Sequence, residues 1–266
     1  MNNTITAAML VIGNEVLSGR TQDANIKHVG TELGLKGIQL SEVRIVPDIE
    51  SAIIDAINAL RKSYDYVFTT GGIGPTHDDI TSDCVAKAFS VKNVPHPEGF
   101  PLLEAFYAEK GIEFNGARQR MAHTPEGAEL IKNDVSMAPG YRIGNVHVMA
   151  GVPRIMRDML AGILPSLKGG AVVKSKAVTT DLPEGVLAEH LKKLQRSYDE
   201  AVDIGSYPKD RKGKKGYIVS LIIRSSNEQV LENVVTELKT MLQTLGGNFV
   251  DGEATEDELL VGKSIP

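Results

Sequence analysis

The sequence predicts an α/β chain. A doubly wound, mostly parallel sheet is expected in residues 1–168, a small α+β module in 169–250, and a C-terminal tail at 251–266. Three observations predict this. Strand-like and helix-like patterns alternate three times within the first ninety residues, the signature of strand–helix–strand units. The first strand pattern, ITAAMLVI at 5–12, is a short and largely apolar run, as expected of a strand covered on both faces. Beyond Gly169-Gly170 the order changes to strand, helix, strand, strand, helix, which describes a separate small unit.

In chain order, residues 24–35 read as a helix ended by Gly34 or Gly37, because glycine adopts the left-handed conformation that closes helices. IQLSEVRIV (38–46) alternates like a strand, and Pro47-Asp48 marks a turn. Ile49, Ile53, Ile57 and Leu60 recur at helical spacing, with Asp48 or Ser51 as N-cap. DYVFTT (65–70) is the third strand, and a helix runs from about Asp79 to Phe89. Helix 97–111 follows, then loop and short strand over 118–133, strand 146–150, and a helix from Pro153 to about Leu164 with proline at its first position. The second unit reads as strand 171–179, helix 184–197, strands 202–207 and 217–224, and helix 227–245. The last helix carries Val230, Val234, Leu238, Met241 and Leu245 on one stripe.

Composition bounds the function. The chain is 42% hydrophobic and 24% charged over 266 residues, enough to bury a core. A formal charge of −5 gives no support to a nucleic-acid or membrane-surface role. One cysteine, Cys84, excludes an internal disulfide framework and reads as a small buried side chain. No apolar run approaches the roughly 20 residues of a membrane helix, and MNNTITAAMLVIGNE lacks the charged start of a signal peptide. The expected location is the cytoplasm.

The loop after the third strand, GGIGPTHDD (71–79), carries the chemistry. Gly71, Gly72 and Gly74 let backbone N–H groups approach an anion with no Cβ in the way. Pro75 fixes the turn, Thr76 adds a hydroxyl, and a helix N-terminus follows. Phosphate is the natural guest at this carboxyl edge of the sheet. The loop is neither a Walker-type loop nor a dinucleotide fingerprint. Asp78 and Asp79 would repel a phosphate unless a divalent cation such as Mg²⁺ lay between them. The alternative is that they cap the next helix, since Thr76-x-x-Asp79 resembles a capping box. His77 is either a general acid or a solvent-exposed side chain.

A second candidate segment is IGNEVLSGRTQDAN (12–25). It leaves the first strand at the same edge. Glu15 could join the metal, Ser18, Gly19 and Asn25 could contact ligand, and Asp23 reads as a helix cap. Asp48 is a third candidate, with the N-cap as its alternative. The basic stretch Lys209–Lys215, followed by Gly216, reads as a solvated hairpin tip rather than a nucleic-acid clamp.

GGIGPTHDDIT (71–81) after the strand DYVFTT closely resembles the signature of the molybdopterin-binding, MoaB/Mog-like family. IGNEVLSGRTQDAN, VPD (46–48), RMAHTPEGAELIKNDVSMAPGY (120–141) and GVPRIM (151–156) resemble its CinA (competence-damage-inducible protein A) branch and the N-terminal domain of eukaryotic FAD synthase. The resemblance implies a three-layer α/β domain followed by a KH-like module. It implies a pocket for a phosphorylated pterin or a nucleotide, and self-association as a homodimer or trimer. In this branch it also implies metal-dependent (Mg²⁺, Mn²⁺ or Co²⁺) cleavage of dinucleotide pyrophosphates such as ADP-ribose or FAD. The matching positions are Glu15, Asp48, Gly71, Gly72, Gly74, Thr76, Asp78, Asp79, Pro139 and Gly140. Asp78, Asp79 and Glu15 would be catalytic and hold the metal, and the others would contact ligand. Two further readings share the pocket: non-catalytic binding of molybdopterin or a nucleotide, and adenylyl transfer to molybdenum cofactor. The amidase domain that CinA-type chains carry after the KH-like module has no counterpart in these residues. Asn14 stands where many relatives carry Asp, and Ser136-Met137 replaces a Gly-Thr pair.

Overall fold

The computed structural model describes residues 4–210 and 217–253. The chain divides into two compact units, split between Ala171 and Val172. The first unit runs β1 (Ile5–Ile12), α1 (Asn14–Leu17), α2 (Asn25–Leu35), β2 (Ile38–Val46), α3 (Glu50–Ser63), β3 (Tyr66–Thr70), α4 (Thr81–Ala88) and β4 (Asn93–Pro95). It continues with α5 (Gly99–Glu109), α6 (Gly116–Arg120), β5 (His123–Pro125), β6 (Glu129–Ile131), β7 (Gly140–Ile143), β8 (Val146–Met149) and α7 (Pro153–Ile163). The second unit runs β9 (Lys174–Thr180), α8 (Glu184–Tyr198), β10 (Asp203–Asp210), β11 (Tyr217–Ser225), α9 (Glu228–Thr244) and β12 (Phe249–Asp251).

The main sheet has the order β2-β1-β3-β8-β7-β6. The first four strands are parallel, and β7 and β6 complete it antiparallel. The apolar run in β1 is explained by its interior place, between β2 and β3. Its alternating side chains enter two different cores. Ala7, Met9 and Val11 join Val29, Leu33, Met156 and Leu160 of α2 and α7. Ala8, Leu10 and Ile12 join Ile53, Ile57, Leu60 and Val85 of α3 and α4. Helices thus cover both faces, and the unit has three layers. Cys84 sits in the second core, 1% exposed, where burial pushes its thiol up to about 11.

Several local expectations are corrected. The helix after the glycine loop starts at Thr81, not Asp79. The N-cap of α3 is Ile49 and makes no side-chain cap bond, so neither Asp48 nor Ser51 caps it. Residues 118–133 contain the end of α6 as well as β5 and β6, and the short strands β4 and β7 have no counterpart in the sequence reading.

In the second unit an antiparallel sheet, β10-β11-β9-β12, packs on α8 and α9 around Val178, Val219, Leu221, Leu231 and Leu238. The buried stripe of α9 is Leu231, Val234, Val235, Leu238 and Leu242. Val230, Met241 and Leu245 are only partly buried beside it, so the stripe is rotated from the sequence reading. Strand β12 has no counterpart in the sequence reading, which ended the module at residue 250. The basic hairpin tip at 211–216 and the tail from 254 onward lie outside the described residues.

Candidate functional site

Three segments meet at the carboxyl end of β1 and β3. Gly71 leaves β3 with φ +102, and a Cβ there would lie 2.1 Å from the Ile12 carbonyl oxygen. Gly72 follows at φ +68, where a Cβ would meet the Thr81 hydroxyl at 2.1 Å. Only glycine fits either place. The Thr81 hydroxyl donates to the Gly71 carbonyl at 3.0 Å and its N–H to the Gly72 carbonyl, tying the loop to the start of α4.

Between these anchors the backbone is open. The Gly71 N–H donates to the Met149 carbonyl. Among the described residues, the next three N–H groups, on Gly72, Ile73 and Gly74, donate to no protein acceptor. Successive unpaired N–H groups at a strand end are the substance of an anion nest.

Thr76 organises the far side of the loop. Its N–H donates to Asp79 Oδ2 at 2.8 Å, and its hydroxyl lies within bonding distance of both Asp78 Oδ1, at 2.6 Å, and Asp79 Oδ2. The Thr76 bond holds the Asp78 carboxyl below the usual range. Neither aspartate caps α4, so the capping reading fails in its simple form: the Thr76–Asp79 pair closes a turn before the helix. A hydroxyl has one proton to give, so one of the two carboxylates receives no proton from it. Asp79 Oδ2 also lies 2.7 Å from where a Gly74 Cβ would be, which brings negative charge against the nest. His77 is 98% exposed, with Nδ1 3.9 Å from Asp78 Oδ1.

Arg120, at the end of α6, was missed in the sequence reading. Its Nη2 donates to the Pro75 and Thr76 carbonyls at 3.1 and 3.2 Å. Its only signal was its place at the head of the 120–141 segment.

Glu15 is not joined with the aspartates. Among the described residues no three His, Cys, Asp or Glu side chains converge as metal ligands. Glu15 instead lines a cavity of about 60 Å³ with Asn25, Thr70, Gly71, Gly151 and Pro153. Asn25, 3% exposed, donates its Nδ2 to the Gly151 carbonyl at 2.9 Å. Asp23 caps α2 as expected, accepting the N–H groups of Asn25 and Ile26 at 3.0 and 2.7 Å. Ser18 is exposed and donates to the Glu15 carbonyl. Asp48 Oδ2 accepts the Asn14 N–H at 2.8 Å, so it shapes the segment after β1. Pro139 and Gly140 enter β7, where Gly140 pairs with Ile131. Neither lines the cavity.

A larger groove of about 490 Å³ lies in the second unit among Leu194, Met241, Leu245, His190, Lys193 and Glu237 of α8, α9 and the residue after it. It carries no glycine loop, and volume alone does not make it the better candidate.

Comparison with known proteins agrees with the fold. Residues 8–169 match the family described as "Probable molybdopterin binding domain", and residues 173–246 match "FAD synthase, middle domain". A protein of Caldivirga maquilingensis is 31% identical over 238 residues, covering 87% of this chain and 93% of its own. One of Archaeoglobus fulgidus is 31% identical over 226 residues, covering 85% and 93%. Among solved structures, the protein CinA from Thermoplasma acidophilum, described as of unknown function, is similar at a TM-score of 0.57 and 28% identity. That likeness covers 62% of this chain and 98% of CinA. Over residues 8–169 the chain belongs to the molybdopterin-binding, MoaB/Mog-like domain family, and the module that follows is similar to the FAD synthase middle domain.

Proposed function

We propose that the first unit binds a phosphorylated pterin or a nucleotide, with its phosphate on the glycine loop. The observation that carries this is the run of three unpaired N–H groups on Gly72, Ile73 and Gly74. Backbone donors held by a rigid strand end need no reorganisation to receive phosphate oxygens. Calorimetric titration tests it. A phosphorylated pterin or nucleotide should bind at least about tenfold more tightly than the same compound without its phosphate. Equal affinity for the two would remove the proposal.

A second reading, cleavage of dinucleotide pyrophosphates such as ADP-ribose or FAD, is favoured by the Thr76 hydroxyl that faces two carboxylates. One proton between two anions, beside a phosphate nest, is a donor set that suits an oxygen-seeking divalent cation. Mg²⁺ commonly takes one or two carboxylates and completes its shell with water and phosphate oxygens. Asp78 and Asp79 would hold it, and it would supply charge neutralisation at the phosphates and an activated water. Thr76 orients both carboxylates, Arg120 holds the loop backbone, and the nest fixes the phosphate. Turnover of ADP-ribose or FAD with Mg²⁺, Mn²⁺ or Co²⁺ is the expected result, and no turnover with any of the three leaves binding alone. Adenylyl transfer to molybdenum cofactor would use the same groups. The protein is also proposed to act as a homodimer or trimer.

A further inference from the structure

The groove between α8 and α9 is open to solvent, and its floor is apolar. Leu194 is buried there, with Met241 and Leu245 half-buried beside it. Val186, 43% exposed, lies one turn before His190 on the same side of α8. The walls are polar, yet they offer a small ligand little. The hydroxyls of Thr236, Thr240 and Thr244 donate to carbonyls four residues back, at 2.9, 3.0 and 2.9 Å. Ser197 does the same to the Lys193 carbonyl at 3.0 Å. Each hydroxyl proton is thus used within its own helix. Charge, however, is sorted by helix. Lys193 stands on the α8 wall, and its ammonium has no ion-pair partner among the described residues. Glu237 stands on the α9 wall, where it accepts the Tyr198 hydroxyl.

We propose that this groove is the contact between two copies of the chain, related by a two-fold axis that runs along the helices. This rests on the reading that the protein self-associates, and it names the surface. Helices α8 and α9 run antiparallel, because they follow β9 and β11, which are antiparallel neighbours. Rotation about an axis along the pair lays α8 of the second copy antiparallel over α9 of the first, and α9 over α8. The result is a four-helix layer with an apolar centre. A two-fold contact makes every pairing twice, so Lys193 of each copy faces Glu237 of the other. An axis across the helices would instead set α8 on α8 and bring like charges together, so the charges select the first arrangement. Helices of 15 and 17 residues lying side by side offer a face of roughly 25 by 20 Å. Covering that face on both copies removes on the order of 1,000 Å² in all, the low end for a specific pair. The dimer should therefore form and dissociate reversibly.

Sedimentation velocity of the full chain over a micromolar dilution series tests this. The wild type is expected to pass from monomer to dimer as concentration rises. Lys193→Glu and Glu237→Lys each set like charges face to face twice, and each should weaken dimerisation about tenfold or more. Combining the two substitutions restores opposite charges in reversed order and should bring dimerisation back. A chain weakened by poor folding would not recover in that way. A trimer mass, a dimer indifferent to both single changes, or no recovery in the combined variant overturns the groove contact and leaves self-association to another surface. A monomer at every concentration removes both readings.

Discussion

Asp79 is held by Thr76 twice, through the backbone N–H at 2.8 Å and through the hydroxyl. The pair closes a turn in front of α4 rather than capping it, and it brings Asp79 against Gly74. A carboxylate beside a phosphate nest is unfavourable unless a cation lies between them. The first prediction tests this. Asp78→Asn with Asp79→Asn should abolish metal-dependent ligand binding while the melting temperature moves by no more than about 2 °C, as expected of changes at the surface. Calorimetric titration with ADP-ribose, with and without Mg²⁺, reads it. Unchanged metal dependence would leave the two aspartates as loop braces only.

Thr76→Val should raise the Asp78 titration toward the ordinary carboxylate value, because the Thr76 hydroxyl is the main cause of its depression. A depressed carboxylate adds stability that is present above its unfolded pKa and lost as pH falls through the folded one. The variant should therefore lose less stability on acidification in that acid range. Carbon-detected NMR titration of the carboxyl would show it, and an unmoved Asp78 curve would count against the hydroxyl as cause.

His147, on β8, is 2% exposed. Both ring nitrogens are buried, the Val67 and Asn145 backbone lies beside the ring, and the ring stacks on Phe68 at 5.0 Å. Burial, then Arg142, push its pKa down from 6.5 to about 4. The unfolded chain takes up a proton in that window and the folded one does not. Stability should thus fall as pH drops from 6.5 to 4, by an amount on the order of 3 kcal/mol. His147→Phe should flatten this part of the denaturation profile. An unaltered acid limb would assign the loss to other groups.

Two glycine-to-alanine changes should act in opposite directions. Gly71→Ala places a methyl 2.1 Å from the Ile12 oxygen at a positive φ and should cost at least ~2 kcal/mol. Gly34→Ala, in the last turn of α2 with nothing within 4 Å of the new methyl, should add ~0.5–1 kcal/mol through helix propensity. Urea denaturation midpoints decide both, and a mild effect at Gly71 would contradict the close packing at the β3 exit.

Light scattering at micromolar concentration should give a dimer or trimer mass. A monomer mass at the same concentration would rule out the self-association proposed for this chain.

Much of the fold was legible in the residues. The apolar run of β1, the start of α7 at Pro153, the Asp23 cap of α2 and the three glycines after β3 depend on spacing within a few positions. Chain geometry and steric rules act over that range, so the sequence carries them directly. The same holds for the division near Gly169-Gly170, where the order of elements changes. What was misread depends on partners far along the chain. Asp48 looked like the cap of α3 but serves Asn14, 34 positions away. That Glu15 shares a cavity with Asn25, Thr70 and Gly151 was likewise invisible in any local pattern. The buried stripe of α9 shifted because the sheet beneath it, not helical periodicity, selects which side faces inward. Arg120 had no local reason to be chosen, since its acceptors, the Pro75 and Thr76 carbonyls, lie 45 and 44 residues back. A sequence determines by itself what each segment can become. Strand order and register then decide which side chains of distant segments meet, because a hydrogen bond depends on ångström-scale proximity that no local pattern encodes.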